Sequence, residues 1–257
     1  MFEARGFLHC MQIDCAVFLI YIKSVRVNYE EHPYHNYQHA VEVLHFFYLL
    51  DWQGALRRYF NEEQRFALFL AALNHDIAHP GKSAGYQKHL FTELYEKYGD
   101  TSTLEKYHFD VAKALWRDPQ TPILSEKRHA QLESYIEKWV IATDMQRHSE
   151  FLSLCKSPAQ DPILVYGILL IKCADLSQFV RGKELRETWS LRLKKELYLE
   201  KAHQMAQEGG VSLDYSCFPG NQLYSREMFL EKMVTPLYSL LAEHFPSLES
   251  VKKKLGS

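Results

Sequence analysis

Apolar residues recur at helical spacing along most of the chain. Between Ala40 and Leu50 the apolar positions lie three or four residues apart, and a second segment with helical spacing runs from Phe66 to Leu73. No segment shows the strict alternation of apolar and polar residues that is typical of a half-buried strand. Because the chain also lacks a repeat or a Pro/Gly/Ser-rich linker, the pattern predicts one compact, multi-helix all-α domain over residues 1–257.

Capping residues and helix breakers predict where these helices begin and end. Asn36 precedes a helix that runs to about Leu50, and Asn61 opens one that must stop near Pro80. The same signals predict helices that begin at Ser102 with a capping box to Glu105, at Ser125, at Asp161-Pro162, near Lys183 with an end at Gly209-Gly210, and at Ser225 with an end at His244. On the long helix from Lys183, charges at helical spacing predict a solvent-exposed face that contains Lys194, Lys195, Glu196, Glu200 and Lys201.

Composition adds one unusual feature, which is histidine. The chain has 13 histidines, and seven of them lie between positions 35 and 108. The net charge of −2 excludes a strongly basic overall surface, so no polymeric nucleic acid partner is expected. The apolar run Cys15–Ile22 is too short to span a membrane, and the five cysteines form no Cys-x-x-Cys pair. We therefore expect reduced thiols and a cytoplasmic location.

A histidine–aspartate pair, His75-Asp76, follows the second apolar helix. Adjacent His and Asp side chains at a helix end can point at one ion, since imidazole binds zinc, iron or manganese and a carboxylate can bridge to a second, harder cation. His39 and Asp175 lie on predicted helices with apolar neighbours, where a buried polar group needs a partner such as a metal. Each residue alone also has an ordinary structural explanation, so the metal prediction depends on their joint order and spacing.

Six short blocks extend this pattern along the chain. They are Tyr34-His35-Asn36-x-x-His39-Ala40, His75-Asp76-x-x-His79-Pro80-Gly81, Ser102-Thr103-Leu104-Glu105-x-x-His108, Ala142-Thr143-Asp144-Met145, Cys173-Ala174-Asp175-Leu176-Ser177 with Trp189 after it, and Phe229 with Val234-Thr235-Pro236-Leu237. In their order and spacing they resemble the class I cyclic nucleotide phosphodiesterases, which have a helical HD-type catalytic domain. The resemblance covers about residues 10–245 and implies a domain that is shortened at its N-terminus relative to that family.

The resemblance implies a role for each of these residues. The first metal, zinc, would be bound by His39, His75, Asp76 and Asp175. Asp76 would also bridge to a second metal, magnesium or manganese, which is otherwise held by waters. A water activated by the two cations would attack phosphorus in line, while His35 protonates the departing 3′ oxygen. The metal-bound waters would be oriented by His79, Glu105 and Thr143, with His108 behind them.

The resemblance also implies a nucleotide-binding pocket, in which the chain departs from the family pattern. The predicted substrate contacts are Tyr34, Met145, Gln178, Leu193, Arg226 and Phe229. Arg226 falls where the family carries a purine-reading glutamine, unless a small gap places Gln222 there. Because a guanidinium only donates, Arg226 favours the guanine O6/N7 edge over adenine. Three further positions depart, where the family's two asparagines and a tyrosine become Ala84, Gln178 and Arg186.

The resulting prediction is a 3′,5′-cyclic nucleotide phosphodiesterase that hydrolyses cAMP, cGMP or both to the 5′-monophosphate, using two divalent metal ions. Two alternatives stay open. One is an HD-type phosphohydrolase that acts on another phosphate ester, because Arg226 adds a cation that can bind an extra anionic group. The other is a catalytically weak module that binds cyclic nucleotides. The resemblance further implies that such a domain often pairs with itself or belongs to a longer protein with regulatory segments.

Overall fold

The computed structural model describes residues 1–124, 126–157, 161–209 and 226–255, and all regular secondary structure in these ranges is helical. The α-helices are α1 (Phe7–Met11), α2 (Cys15–Val27), α3 (Tyr37–Trp52), α4 (Glu62–Asn74), α5 (Ala84–His89), α6 (Glu93–Tyr98), α7 (Thr103–Trp116), α8 (Glu126–Ile141), α9 (His148–Lys156), α10 (Pro162–Asp175), α11 (Lys183–Gln207), α12 (Arg226–Phe229), α13 (Thr235–His244) and α14 (Glu249–Lys252). The all-α prediction is confirmed. None of these helices is long and apolar enough to cross a membrane.

Helix α4 lies at the centre of the fold. Every residue from Arg65 to Asn74 is buried, and the helix packs against α3, α8, α10 and α1. A helix that is apolar on nearly all sides has to be enclosed in this way. The predicted cap is confirmed, because the Asn61 and Gln64 side chains form a reciprocal capping box. The predicted end near Pro80 is wrong, since α4 ends at Asn74 and continues as a turn in which Ala78 has a left-handed φ of 57°.

Side-chain capping explains five of the other described helix starts, those of α2, α3, α5, α6 and α10. The Asn36 side chain accepts hydrogen bonds from two amides of the first turn of α3, and the Asp161 side chain accepts one from Leu164 N, as predicted. The predicted capping box at Ser102 is wrong. Ser102 has a left-handed φ of 50°, and its hydroxyl donates to Asp144 Oδ2 at 2.8 Å, so it does not cap α7. The predicted starts at Ser125 and Ser225 and the stop at Gly210 lie outside the described residues.

Helix α10 carries Asp175 at its C-terminal end and crosses α8 at a close contact. The Trp139 indole lies against Gly167 and donates from Nε1 to the Leu164 carbonyl at 3.1 Å. A Cβ atom at position 167 would lie only 2.0 Å from Trp139 Nε1, so a side chain here would displace the indole. The contact therefore sets how closely α10 approaches α8.

We expect Gly167→Ala to destabilise the protein by about 1–3 kcal/mol, because overpacking forces the backbone or the indole to shift. Chemical denaturation would measure the change in the free energy of unfolding. Gly85→Ala is the matched control, because a Cβ there would make only an ordinary contact with Ser83 and would favour α5. Equal stabilities of the two variants would contradict the tight packing at Gly167.

Candidate metal centre and catalytic pocket

Four predicted metal ligands meet in the interior, where the ends of α4 and α10 approach the first turn of α3. His39 Nε2 lies 3.0 Å from Asp175 Oδ1 and 3.6 Å from Asp76 Oδ2. His75 Nε2 lies 3.1 Å from Asp76 Oδ2 and 3.5 Å from Asp175 Oδ1. Both imidazoles are buried, and three of the side chains, those of His39, His75 and Asp175, are close enough to share one ion.

The hydrogen bonding of His75 tests whether a cation suits this cluster. His75 Nδ1 donates to the Ala72 carbonyl at 2.9 Å, which leaves the lone pair on Nε2. That buried atom makes no hydrogen bond of acceptable geometry, although it faces two carboxylates. Burial lowers the pKa of His75, but Asp76 and Asp175 outweigh it and raise the pKa well above its ordinary value. Because the cluster demands positive charge and directs lone pairs inward, its residues suit a divalent cation.

A second cluster lies beside the first and contains His35. The His35 ring hydrogen-bonds through Nδ1 to Glu196 Oε1, while Glu196 Oε2 accepts from the backbone amides of Tyr34 at 2.7 Å and His35 at 3.0 Å. Burial lowers the pKa of His35, but the hydrogen bond to Glu196 and nearby carboxylates raise it above its ordinary value. His35 is only partly covered, with 26% of its side chain exposed, so the ring is accessible from solvent and its raised pKa favours the protonated form.

His79 stacks on His35, with ring centroids 3.9 Å apart. His79 Nδ1 accepts a hydrogen bond from Gly81 N at 3.0 Å, so the ring proton is on Nε2. Burial and the charge of His35 lower the pKa of His79 well below its ordinary value. His35, His79 and Glu196 are close enough to share an ion, but His79 has no free lone pair and Glu196 is already hydrogen-bonded. The arrangement suits proton transfer better than metal binding.

The predicted exposed face of α11 is wrong at two positions. Glu196 is only 4% exposed because α11 folds over Tyr34 and His35. Glu200, one turn later, accepts from the Ser83 amide and, at 2.7 Å, from the Ser83 hydroxyl. The sequence analysis missed both roles, although Glu196 follows Leu193, a predicted pocket residue, by three positions on the same side of the helix.

The remaining predicted water-orienting residues lie in buried surroundings. Glu105 Oε2 makes no hydrogen bond, and burial followed by the charge of Asp144 raises the pKa of Glu105 to about 8. His108 donates from Nδ1 to the Ile77 carbonyl, and burial lowers its pKa to about 4. The Thr143 hydroxyl donates to the Val140 carbonyl at 2.7 Å. The Glu105 carboxyl and the His108 imidazole are therefore both neutral at neutral pH.

Lys172 is a buried cation that the sequence analysis did not single out. Its ammonium donates to the Ala142 carbonyl at 2.7 Å, next to Thr143. Burial lowers the pKa of Lys172 to about 8, against the opposing effect of Asp175. The lysine links α10 to the segment that follows α8. A charged residue about three turns into a strongly apolar helix is the signal that could have identified it.

Two of the predicted substrate residues contact neighbouring side chains in the structure. Gln178 Nε2 donates to the Tyr34 hydroxyl at 3.2 Å, and Phe229 stacks on Phe179 with ring centroids 5.6 Å apart. Leu193 is half-buried on α11. Met145 packs against the core, so a substrate contact is not evident from its surroundings. The side chains of Arg226 and Gln222 lie outside the described part of the chain.

Comparisons with known proteins agree with this geometry. The sequence model of the family described as 3′5′-cyclic nucleotide phosphodiesterase matches residues 34–255. The chain therefore belongs to the 3′,5′-cyclic nucleotide phosphodiesterase family, and the resemblance seen in the sequence is confirmed.

Individual relatives cover nearly the whole chain. It is 26% identical over 261 residues to the Homo sapiens high affinity cGMP-specific 3′,5′-cyclic phosphodiesterase 9A, covering 98% of this chain and 44% of the relative. It is 26% identical over 277 residues to the Caenorhabditis elegans probable 3′,5′-cyclic-AMP phosphodiesterase pde-4, covering 99% of this chain and 41% of the relative. The chain thus spans less than half the length of these relatives.

A solved structure supports the fold. The phosphodiesterase domain of the RhoPDE fusion protein from the choanoflagellate Salpingoeca rosetta superposes with a TM-score of 0.84 at 25% identity. The match covers 98% of this chain and 84% of that one. The helical architecture is therefore that of a phosphodiesterase catalytic domain.

We expect Asp175→Asn to weaken zinc binding by at least about 100-fold, because the cluster loses an anionic ligand that faces both imidazoles. Metal content after dialysis and calorimetric titration with zinc chloride would measure the change. Asp118→Asn, on the surface between α7 and α8, is the control and should bind zinc like the wild type. Undiminished affinity in Asp175→Asn would show that zinc binds elsewhere.

Proposed function

We propose that this chain is a 3′,5′-cyclic nucleotide phosphodiesterase that hydrolyses cAMP, cGMP or both to the 5′-monophosphate. The observation that carries the proposal is the hydrogen-bonded His35–Glu196 pair, in which the pKa of His35 is raised above its ordinary value, beside a buried cluster of His and Asp side chains that demands positive charge. Phosphodiester hydrolysis needs both a cationic centre and a proton donor for the leaving oxygen. Membership of the family supports the same reaction.

The proposed metal ligands are His39, His75, Asp76 and Asp175. Divalent ions bound there would supply Lewis acidity at the phosphoryl group and lower the pKa of a water. Two imidazoles and a carboxylate suit zinc, whereas a carboxylate with waters suits magnesium or manganese, so we assign zinc to the first position and Mg²⁺ or Mn²⁺ to the second. Asp76, whose Oδ2 faces both imidazoles, would take part in both positions, because a carboxylate can offer an oxygen to each ion.

The chain's own residues handle the proton. His35 donates from Nε2 to the departing 3′ oxygen, because its Nδ1 is engaged by Glu196. Glu196 thereby acts as a positioning residue that selects the tautomer and holds the ring. His79 presents its Nε2 proton from the stacked position, so it can orient a neighbouring oxygen. Glu105 and His108 contribute from the buried side, with Thr143 behind them.

The proposed partner is a small cyclic nucleotide, whose base would lie near Gln178, Leu193 and Phe229. Regulatory segments outside this chain are part of the proposal, and the greater length of the curated relatives supports them. Pairing with a second copy is a further part of the proposal. A cytoplasmic location is supported by the reduced thiols of Cys15, Cys155 and Cys173.

Metal-reconstituted protein should hydrolyse at least one of the two cyclic nucleotides, and His35→Ala should lower kcat about 100- to 10,000-fold with little change in KM. Product formation followed by chromatography would measure both. His9→Ala, at an exposed position on α1, is the matched control and should keep wild-type activity. If the wild type released phosphate only from other esters, it would be the alternative phosphohydrolase, and tight binding without turnover would indicate the binding module.

Glu196→Gln should move the alkaline limb of the kcat–pH profile to lower pH. The Glu196 carboxylate raises the pKa of His35, so its removal lowers that pKa and the protonated acid is lost at a lower pH. Stopped assays across a pH series would locate the limb. Glu184→Gln, exposed on the same helix, should leave the profile unchanged. A uniform loss of activity without a shift would show that Glu196 acts only structurally.

A further inference from the structure

Helix α11 presents a single buried face to the rest of the protein. Of its residues, only Arg186, Trp189 and Glu196 are buried. At about 100° per residue these three positions fall within an arc of about 80°, so they project from one side of the helix. The remaining surface of α11 is exposed or half-exposed. Whatever Arg186 contacts must therefore lie on the side where Trp189 and Glu196 meet the catalytic pocket.

The contacts of Trp189 and Glu196 show that the buried face of α11 packs against the residues of the metal centre and its neighbouring cluster. The Trp189 ring lies 5.5 Å from the rings of both Tyr34 and His39, and Glu196 binds His35. Along the axis of α11, Trp189 lies between Arg186 and Glu196. Arg186 and Glu196 are ten residues apart, which corresponds to about 15 Å along the axis. The 3₁₀ turn Ser177–Val180, whose Gln178 is bonded to Tyr34, contacts α11. Arg186 therefore lies on the inward side of α11, at the end away from His35 and towards the 3₁₀ turn that carries Gln178.

Two nitrogens of the Arg186 guanidinium are buried and unpaired within the described part of the chain. The residue is 6% exposed, and its Nε and Nη1 atoms make no hydrogen bond. No ion pair is formed by Arg186 within the described part of the chain. The other well-buried arginines, Arg5 and Arg65, both pair with Asp51. An unpaired buried charge is strongly unfavourable, so its presence on the inward side of α11 points to acceptors that a ligand supplies.

We propose that Arg186 is a specificity-determining residue that reads the acceptor edge of a guanine base and so makes cGMP the preferred substrate. The proposal rests on the proposed phosphodiesterase function. A guanidinium has only donors, and guanine offers O6 and N7 as two adjacent acceptors for a bidentate pair. Adenine presents N7 beside the N6 amino donor, which leaves one guanidinium N–H unpaired against another donor. Binding of guanine therefore satisfies a charge that adenine leaves uncompensated.

The proposal is separate from the predicted role of Arg226. The case for Arg226 comes from its position in the family pattern alone, and its side chain lies outside the described residues. The case for Arg186 comes from its burial, its unpaired donors and the pocket-facing side of α11. Exchanging one arginine at a time therefore tells the two roles apart.

The test compares kcat/KM for cGMP and cAMP in wild type, Arg186→Met and Arg186→Lys. We expect Arg186→Met to lower kcat/KM for cGMP about tenfold or more relative to cAMP. Arg186→Lys should not restore the ratio, because an ammonium lacks the planar fork. Lys201→Met, an exposed cation on the same helix, is the matched control and should keep the wild-type ratio.

Thermal unfolding without nucleotide gives a second readout. Because Met replaces a buried, unpaired charge, Arg186→Met should be at least as stable as the wild type. A marked loss of stability would reveal a structural partner for Arg186 and would overturn the proposal. A wild type that prefers cAMP, or a ratio unchanged in Arg186→Met, would also overturn it while leaving the proposed phosphodiesterase function intact.

Nucleotide binding distinguishes a failure of the proposed function from a failure of the proposed role of Arg186. If the wild type hydrolysed neither cyclic nucleotide, the proposed function would fail. Calorimetry with guanosine 5′-monophosphate and adenosine 5′-monophosphate would then decide the role of Arg186 independently. Tighter binding of the guanosine nucleotide that is lost in Arg186→Met supports the role, and equal binding of the two nucleotides by the wild type excludes it.

Discussion

The complete burial of α4 is the constraint on which the rest of the structure depends. A helix enclosed on every side also ends inside the protein, so the turn after it begins with His75 fully buried and Asp76 largely covered. Polar groups placed there need partners from other elements. Helix α3 brings His39, α10 brings Asp175, and a turn held by His108 closes the third side. The centre is thus assembled from segments distant in sequence because α4 leaves them one common place to meet.

The electrostatics of the centre run in one direction. Burial raises the pKa of Asp76, but the neighbouring histidines, His75 first, outweigh it and hold that pKa well below its ordinary value, which favours the anionic carboxylate that binds cations. Around the cluster, burial lowers the pKa values of His79 and His108 and so favours their neutral forms. Burial raises the pKa of Glu105 to about 8, so this carboxyl is protonated and uncharged below that pH. Charge is therefore concentrated on the cluster itself, while the surrounding groups can exchange protons without competing for the ion.

Roles that depend on contacts local in sequence were predicted correctly, whereas a role that depends on a contact distant in sequence was not. Asn36, Asn61 and Asp161 were predicted correctly because a cap bonds only to the next turn. Ser102 was predicted incorrectly because its hydroxyl bonds Asp144, which is distant in sequence.

The residues of the centre were recognised as a group through order and spacing, with local periodicity adding little. Glu196 and Arg186 lie on a helix rich in charge, so its pattern does not show which side folds inward. Only the packing of α11 over residues 34 and 35 decides which side of the helix is buried.

The carboxylates of Glu196 and Glu200 lie one turn apart on α11, and each accepts a hydrogen bond from a backbone amide of a different loop. The spacing between the proton donor and the chain after His79 is therefore set by the helix rise, about 6 Å for four residues. The distance between the two loops at these contacts therefore depends on the geometry of α11 and not on the length or sequence of the loops.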